Sequence, residues 1–173
     1  STVGIPKNLK NSVYQFNYGK INELIKLIKK NSIGIVIMEF ARIKELNIDF
    51  LKSVKKICEK HNCILIFDEC TSGFREHIGG VHMKYNIEPD IVTFGKAIGN
   101  GYPITCLVGK EKLRDRSEKA FISSTNWSDR IGFVAANKTI EIMKQIKSNK
   151  IIEKIHYNFC KRIKQIALKN KLK

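Results

Sequence analysis

Apolar side chains recur along this chain at two different spacings, and each spacing predicts one kind of element. Intervals of three and four residues, such as that from Leu24 to Ile28, are typical of an amphipathic helix. A second run of this kind begins at Phe50, directly after Asp49, and we expect Asp49 to cap that helix. The helices predicted in this way cover residues 20–30, about 50–57, 128–147 and about 149–169.

Four shorter apolar runs are rich in β-branched residues, which favours buried strands over helices. The second of these runs ends at Asp68, and the third ends just before Lys96. Because buried strands alternate with helices, we predict an α/β fold in which a mostly parallel sheet has helices on both faces. The predicted strands cover residues 33–38, 63–67, 90–94 and 104–108.

The net charge of +16 on 173 residues allows two interpretations. A basic surface suits nucleic acid or an anionic membrane, and nucleic-acid binding would then weaken steeply with salt. The basic residues here are mostly Lys, however, and they are spread along the predicted helices among Glu residues. We therefore predict solvated helix faces, with neither nucleic acid nor membrane as a partner. No apolar run approaches the roughly 18 residues of a membrane span.

The five cysteines form no pattern that indicates disulfides or a metal site. No CxxC pair occurs, and the nearby Cys58, His61 and Cys63 are interpreted as packing residues. An odd number of cysteines, together with the lack of a signal peptide, favours a reducing compartment. We expect a cytoplasmic protein without a metal ion.

Chemically useful side chains follow two of the predicted strands. Residues 67–75 (FDECTSGFR) place Asp68 beside two hydroxyls and an arginine, and residues 94–103 (FGKAIGNGYP) place Lys96 among glycines. Ligands of open α/β sheets bind at the carboxyl ends of strands, where both stretches lie. Taken singly, Asp68 could be a turn cap and Lys96 a solvated lysine. In the loop between them, His77 and His82 are interpreted as solvated.

Together the two stretches resemble one family, the class III pyridoxal-phosphate (PLP) dependent aminotransferases, which include glutamate-1-semialdehyde aminomutase. Asp68 and Lys96 are 28 residues apart, as we expect of that family. The resemblance covers about Ile33 to Met143. The motifs that contribute to it are Ile66–Glu69, Thr71–Arg75, Gly79-Gly80, Pro89–Ile91, Gly95-Lys96 and Ser123–Thr125.

The resemblance implies the large domain of an aspartate aminotransferase-like, fold type I enzyme that uses PLP. Lys96 would form the Schiff base with PLP and then act as acid and base, while Asp68 would partner the ring nitrogen. Cys70 would lie against the ring, although simple core packing is an equal alternative. Thr125 would bind the phosphate of the neighbouring subunit, which implies a homodimer with shared active sites. An amino donor and an amino acceptor would be the small-molecule partners.

The same resemblance implies that the chain is a fragment, a truncated reading frame or one half of a split enzyme. Residues 1–147 would form part of the PLP-binding large domain, and residues 148–173 a helix leading toward a missing small domain. The segment at Met38-Glu39-Phe40 departs from the family's Glu-Pro, which puts the aminomutase substrate in doubt. Transamination of an amino acid or amino sugar is therefore the expected activity, with little activity in this chain alone. The alternatives are a glutamate-1-semialdehyde 2,1-aminomutase and a non-catalytic remnant.

Overall fold

The structure is a computed structural model that describes residues 4, 6–9, 12–41, 46–127 and 129–172. A four-stranded sheet lies at its centre, with helices packed against it. The strands are β1 (Ile35–Glu39), β2 (Ile64–Asp68), β3 (Ile91–Phe94) and β4 (Cys106–Gly109). The helices are α1 (Ile21–Lys30), α2 (Ile48–Lys60), α3 (Val81–Lys84), α4 (Arg114–Glu118), α5 (Arg130–Ile146) and α6 (Ser148–Lys169). Short 3₁₀ turns lie at Lys7–Leu9, Lys96–Ile98 and Glu111–Leu113.

The strands follow one another across the sheet in chain order. β1, β2 and β3 are parallel, and β4 runs antiparallel to β3. Asp68 pairs in register with Glu39 on one side and with Thr93 on the other. The carboxyl ends of three strands therefore meet at one edge of the sheet, and the predicted mostly parallel α/β fold is confirmed.

The main core lies between one face of this sheet and helices α1 and α2. Leu24 of α1 and Leu51 and Val54 of α2 are buried against Leu65 and Phe67 of β2. Full burial of one such side chain stabilises the fold by about 1.5–3 kcal/mol relative to leaving it in water. This packing fixes β2, and hence the position of Asp68 at its end.

Helix α2 begins earlier than its apolar pattern predicts. Its N-cap is Asn47, whose side chain accepts a hydrogen bond of 2.9 Å from the backbone N–H of Phe50. Asp49 lies within the first turn, where a negative charge favours the helix dipole, so the prediction that Asp49 caps the helix is wrong. Asn and Asp both cap helices. Here Asn47 is the cap because its backbone is extended, as a capping residue requires.

Two strands are less buried than their apolar composition predicts. Val36 of β1 is buried, but Ile35 and Ile37 on its other face are 56% and 60% exposed. In β4, Leu107 and Val108 are 69% and 50% exposed. The described helices cover only part of the second face of the sheet, so the expectation of fully buried edge strands is wrong.

The cysteines of the second helix and strand are packing residues. Cys58 and Cys63 are buried in the core, and burial raises the pKa of the Cys58 thiol to about 12. Among the described residues, no group of three His, Cys, Asp or Glu side chains is arranged to hold a metal ion. None of the helices in the described part of the chain is long and apolar enough to cross a membrane.

The last two helices meet at a sharp turn. Lys147 has a left-handed backbone (φ 52°) between the end of α5 and the start of α6. This turn coincides with the predicted boundary at residue 148, and the assignment of α6 to a second domain stays a prediction.

Candidate active site

Asp68 is the last residue of strand β2, and two hydrogen bonds to one of its carboxylate oxygens hold its side chain. Its Oδ1 accepts hydrogen bonds from the backbone N–H of Cys70 (2.9 Å) and from the hydroxyl of Thr93 (3.2 Å). The bond from Cys70 does most to lower the pKa of Asp68; partial burial opposes it, while Thr93 and the charge of Lys96 lower this pKa further. The thiol of Cys70 also lowers this pKa through a hydrogen bond to the carboxylate, and Asp68 is therefore ionised.

Lys96 lies on the turn that follows strand β3. Gly95 is extended, and Lys96 itself has φ 46°, a left-handed conformation that non-glycine residues rarely adopt. Its Nζ donates a hydrogen bond of 3.0 Å to Oγ1 of Thr71, on the loop after Asp68. Because the charge of Lys96 also acts on Asp68, the structure brings together the two residues that the motif pairs.

Open space lies beside Cys70, next to the same strand ends. Its Sγ is 3.6 Å from Oγ1 of Thr93. A methyl group at Gly95 would lie 3.5 Å from this sulfur and 3.5 Å from Cγ2 of Thr105, so the missing side chain leaves a space between them. Cys70 is half-buried, which leaves both its interpretations open.

A buried carboxylate, hydrogen-bonded to a histidine, holds the loop that begins at Asp68. Glu69 is fully buried and accepts four hydrogen bonds: from the Ser72 hydroxyl (3.0 Å), the Val81 N–H (2.6 Å), the His82 N–H (3.0 Å) and His82 Nδ1 (2.6 Å). Burial alone would raise the pKa of Glu69, but the bonds from His82 and Val81 outweigh it and hold this pKa below its ordinary value. The carboxylate is ionised, so Nδ1 of His82 bears a proton.

Sequence reasoning missed this pair. His82 is 8% exposed, so the interpretation of His82 as a solvated loop residue is wrong. A signal was present in Gly80, because a side chain there would collide with the His82 ring and approach Oε1 of Glu69 to 2.7 Å. A glycine two residues before a histidine does not by itself indicate where the ring lies.

A groove of about 390 Å³ opens next to Lys96. Phe74 and Arg75 form its wall on the loop side, and Met143 and Ile152 on the helix side. Phe74 is held in a left-handed conformation (φ 60°), and its ring packs edge-on against Phe94 at 5.2 Å. Phe74 and Lys96, which both have rarely populated backbone conformations, thus line the groove, and such residues are common at binding sites.

Thr125 is not connected to these groups by the hydrogen bonds of the described residues. It is exposed, and among the described residues no hydrogen bond links it to Asp68, Cys70 or Lys96. Its neighbour Phe121 is 97% exposed and Trp127 is exposed as well, so neither belongs to the core of this chain. The role of Thr125 at a phosphate stays a prediction.

Comparison with known proteins identifies the family. The model of the class III aminotransferases matches residues 10–173, and the chain belongs to that family. It is 38% identical over 151 residues to the 3-aminobutyryl-CoA aminotransferase of Cloacimonas acidaminovorans, covering 82% of this chain and 36% of that protein. It is 38% identical over 119 residues to the glutamate-1-semialdehyde 2,1-aminomutase of Bdellovibrio bacteriovorus, covering 67% and 28%.

Solved structures agree with this assignment. The PLP internal aldimine form of the FumI protein of Sphingopyxis sp. MTA144 matches with a TM-score of 0.77 at 26% identity, covering 83% of this chain and 37% of that one. An ornithine aminotransferase of Plasmodium yoelii matches with a TM-score of 0.78 at 20% identity, over 88% and 42% of the chains, which shows the shared fold. The predicted fold type I resemblance is confirmed, and the chain spans about a third of the length of these curated relatives.

Proposed function

We propose that this chain provides the lysine and the carboxylate of a PLP-dependent transamination site that acts on an amino acid or an amino sugar. One observation supports this most directly. An ionised Asp68 and the amine of Lys96 lie at the same edge of the sheet, close enough for the charge of Lys96 to lower the pKa of Asp68. Family membership makes PLP the expected cofactor.

The residues present fit PLP at two of its functional groups. The Oδ2 of Asp68, which accepts neither the bond from the Cys70 N–H nor that from Thr93, would accept a hydrogen bond from the protonated ring nitrogen. The amine of Lys96 would bond to the aldehyde carbon. Because Gly95 has no side chain, a planar ring could approach its backbone beside Cys70.

Each side chain has a distinct part in the reaction. Bound PLP supplies an electron sink that stabilises the charge left on the substrate's α-carbon when a proton leaves. Asp68, with its lowered pKa, remains ionised at neutral pH and so keeps the ring nitrogen protonated. The Nζ of Lys96, once it is a free amine, accepts the proton from the α-carbon.

We further propose that the protein is a homodimer in which Thr125 completes the site of the neighbouring subunit. The support is the exposure of the segment around Thr125, whose hydroxyl bonds to no described residue of its own chain. Mixing Lys96→Ala and Thr125→Val chains tests this arrangement. Hybrid dimers would regain one intact site and bind PLP better than either variant alone. If the mixture binds no more PLP than the two variants do separately, the shared active site is contradicted.

The aminomutase alternative is favoured by relatives such as the Bdellovibrio bacteriovorus enzyme. Product analysis distinguishes the two activities, because a mutase returns the amino group to the same carbon skeleton. This test applies to the reading frame as it is encoded in the genome, since the chain spans only part of its relatives.

Cofactor attachment tests the proposal itself. PLP is added, the protein is reduced with borohydride, and the labelled peptide is identified by mass spectrometry. We expect the label on Lys96, together with a visible absorbance that is lost in Lys96→Ala. The matched control is Lys138→Ala, because Lys138 is an exposed lysine on α5 that forms an ion pair with Glu141. An unchanged spectrum in Lys96→Ala, or labelling without preference for Lys96, would contradict the proposal and favour a non-catalytic protein.

A further inference from the structure

A hydroxyl on the loop after Asp68 contacts the amine of Lys96, and no motif assigns it a role. We propose that Thr71 is a positioning residue whose hydroxyl determines where the Lys96 amine lies at the sheet edge. This inference rests on the proposed function of Lys96 and adds to it the group that holds the amine in place.

The contact has the geometry of a real hydrogen bond. Nζ of Lys96 lies 3.0 Å from Oγ1 of Thr71, across 25 residues of sequence. The side chain of Lys96 is exposed, and a free lysine side chain samples many rotamers. Among the described residues, Thr71 is the hydrogen-bond partner of this amine, so the hydroxyl is what restricts it.

The backbone of Thr71 is itself held. Its carbonyl accepts a hydrogen bond of 2.7 Å from Nε of Arg75. The next residue, Ser72, donates to the buried Glu69 carboxylate, and the N–H of Gly73 donates to the Glu69 carbonyl at 2.8 Å. The hydroxyl is therefore presented by a turn that is fastened on both sides.

The backbone of Lys96 is fixed in the same way at the other end of the contact. Its left-handed conformation is stabilised by the turn in which the N–H of Asn100 donates to the Lys96 carbonyl at 3.1 Å. Because both backbones are held, the hydroxyl–amine pair joins two rigid turns, one after β2 and one after β3.

A hydroxyl suits this position chemically. It can accept a hydrogen bond from a protonated amine, and it can donate one to the lone pair of a neutral amine. A carbonyl could only accept. Thr71 can thus hold Lys96 in both of the protonation states that proton transfer requires, without blocking either.

Two substitutions separate the hydroxyl from the bulk of the side chain. Thr71→Val removes the hydroxyl and keeps the branched shape, whereas Thr71→Ser keeps the hydroxyl. Thr71→Ala replaces the valine variant if circular dichroism shows that the latter is unfolded. Because Thr71 is exposed, none of these changes disturbs the core.

The first readout needs no cofactor. In protein labelled with ¹⁵N-lysine, NMR measures the exchange of the Lys96 amine protons with water, with the signal assigned by Lys96→Arg. Thr71→Val should speed this exchange about threefold to tenfold, the free-energy range of one hydrogen bond, and Thr71→Ser should not. Equal exchange in all three proteins would overturn the inference.

The second readout is the rate at which Lys96 takes up PLP, trapped by borohydride. Thr71→Val should slow labelling of Lys96 by a similar factor and leave the other lysines unchanged, with Thr71→Ser close to the unaltered protein. If Lys96 is labelled equally fast in all variants, the positioning role is refuted and the proposed function stands. If Lys96 takes up no PLP in any protein while the NMR difference persists, the proposed function fails and the Thr71 contact stands.

Discussion

Replacing Glu69 by glutamine would change one buried oxygen into an amide and leave the shape of the side chain nearly intact. The carboxylate accepts two hydrogen bonds at each oxygen: from His82 N–H and Nδ1 at Oε1, and from Val81 N–H and Ser72 Oγ at Oε2. The amide of glutamine must present an NH₂ group to one of these pairs. The Ser72 hydroxyl can rotate to accept from it, and Nδ1 of His82 can accept if the ring carries its proton on Nε2 instead, but a backbone N–H cannot accept.

The expected loss of stability follows from this geometry. In either orientation of the amide, one buried backbone N–H, of Val81 or of His82, loses its partner at a cost of about 1–3 kcal/mol. The remaining bonds change from charge-assisted to neutral and become roughly half as strong. We expect a total loss of about 2–4 kcal/mol, a large part of the roughly 5–15 kcal/mol that stabilises an average domain.

Urea denaturation followed by circular dichroism measures this loss, with Glu76→Gln as the control. Glu76 forms an exposed ion pair of 3.5 Å with Lys84 in the same loop region, and such pairs contribute roughly 0–1 kcal/mol. The pKa of Glu69 is lowered in the folded protein, so its stabilising effect is complete above the ordinary glutamate range and declines as pH falls through the folded-state pKa. The difference between Glu69→Gln and the unaltered protein should therefore shrink in acid.

Two results would refute this reasoning. If Glu69→Gln shifted the urea midpoint no more than Glu76→Gln at neutral pH, the buried carboxylate would not be holding the loop. If the difference did not decline in acid, the ionised form of Glu69 would not be its source.

The same structure predicts the effects of substitutions at three further positions. Gly73→Ala should destabilise the fold by about 1–3 kcal/mol in urea denaturation, because its methyl would lie 2.6 Å from Cδ1 of Phe94 and 2.7 Å from a backbone oxygen. Gly95→Ala should alter stability by less than about 0.5 kcal/mol, since its contacts are 3.5 Å, yet slow PLP attachment by filling the space beside Cys70; unchanged attachment would contradict this. Asp90→Asn should destabilise less than Asp90→Ala by about 1–3 kcal/mol, because only the asparagine can still accept the buried Leu65 N–H that Oδ2 of Asp90 holds at 3.0 Å.

The positions of Asp68 and Lys96 could be predicted because they depend on simple features. Each follows an apolar run of strand length, and parallel strands bring their carboxyl ends to one edge. The contact with Thr71 could not be predicted in this way. It depends on the left-handed turn at Lys96 and on the exact course of the loop after Asp68, neither of which has a periodic signal.

Hydrophobicity was also an incomplete guide to burial. It indicates that Ile37 of β1 and Leu107 of β4 favour an apolar neighbour, but not whether a described element supplies one, and both are exposed. The cap of α2 shows a related limit. Asn47 and Asp49 are both good capping residues two positions apart, and only the backbone conformation at Asn47 distinguishes them.

Adjacent residues at the end of β2 illustrate why the loop escaped sequence reasoning. Asp68 is the last residue of β2 and Glu69 follows it directly; both are ionised acids, but their surroundings differ. Asp68 lies at the sheet edge and is only partly buried, whereas Glu69 is fully buried and accepts bonds from four donors. Because Glu69 fastens Ser72 and the turn that presents Thr71, its substitution should also loosen Lys96, although Glu69 has no hydrogen bond to that lysine.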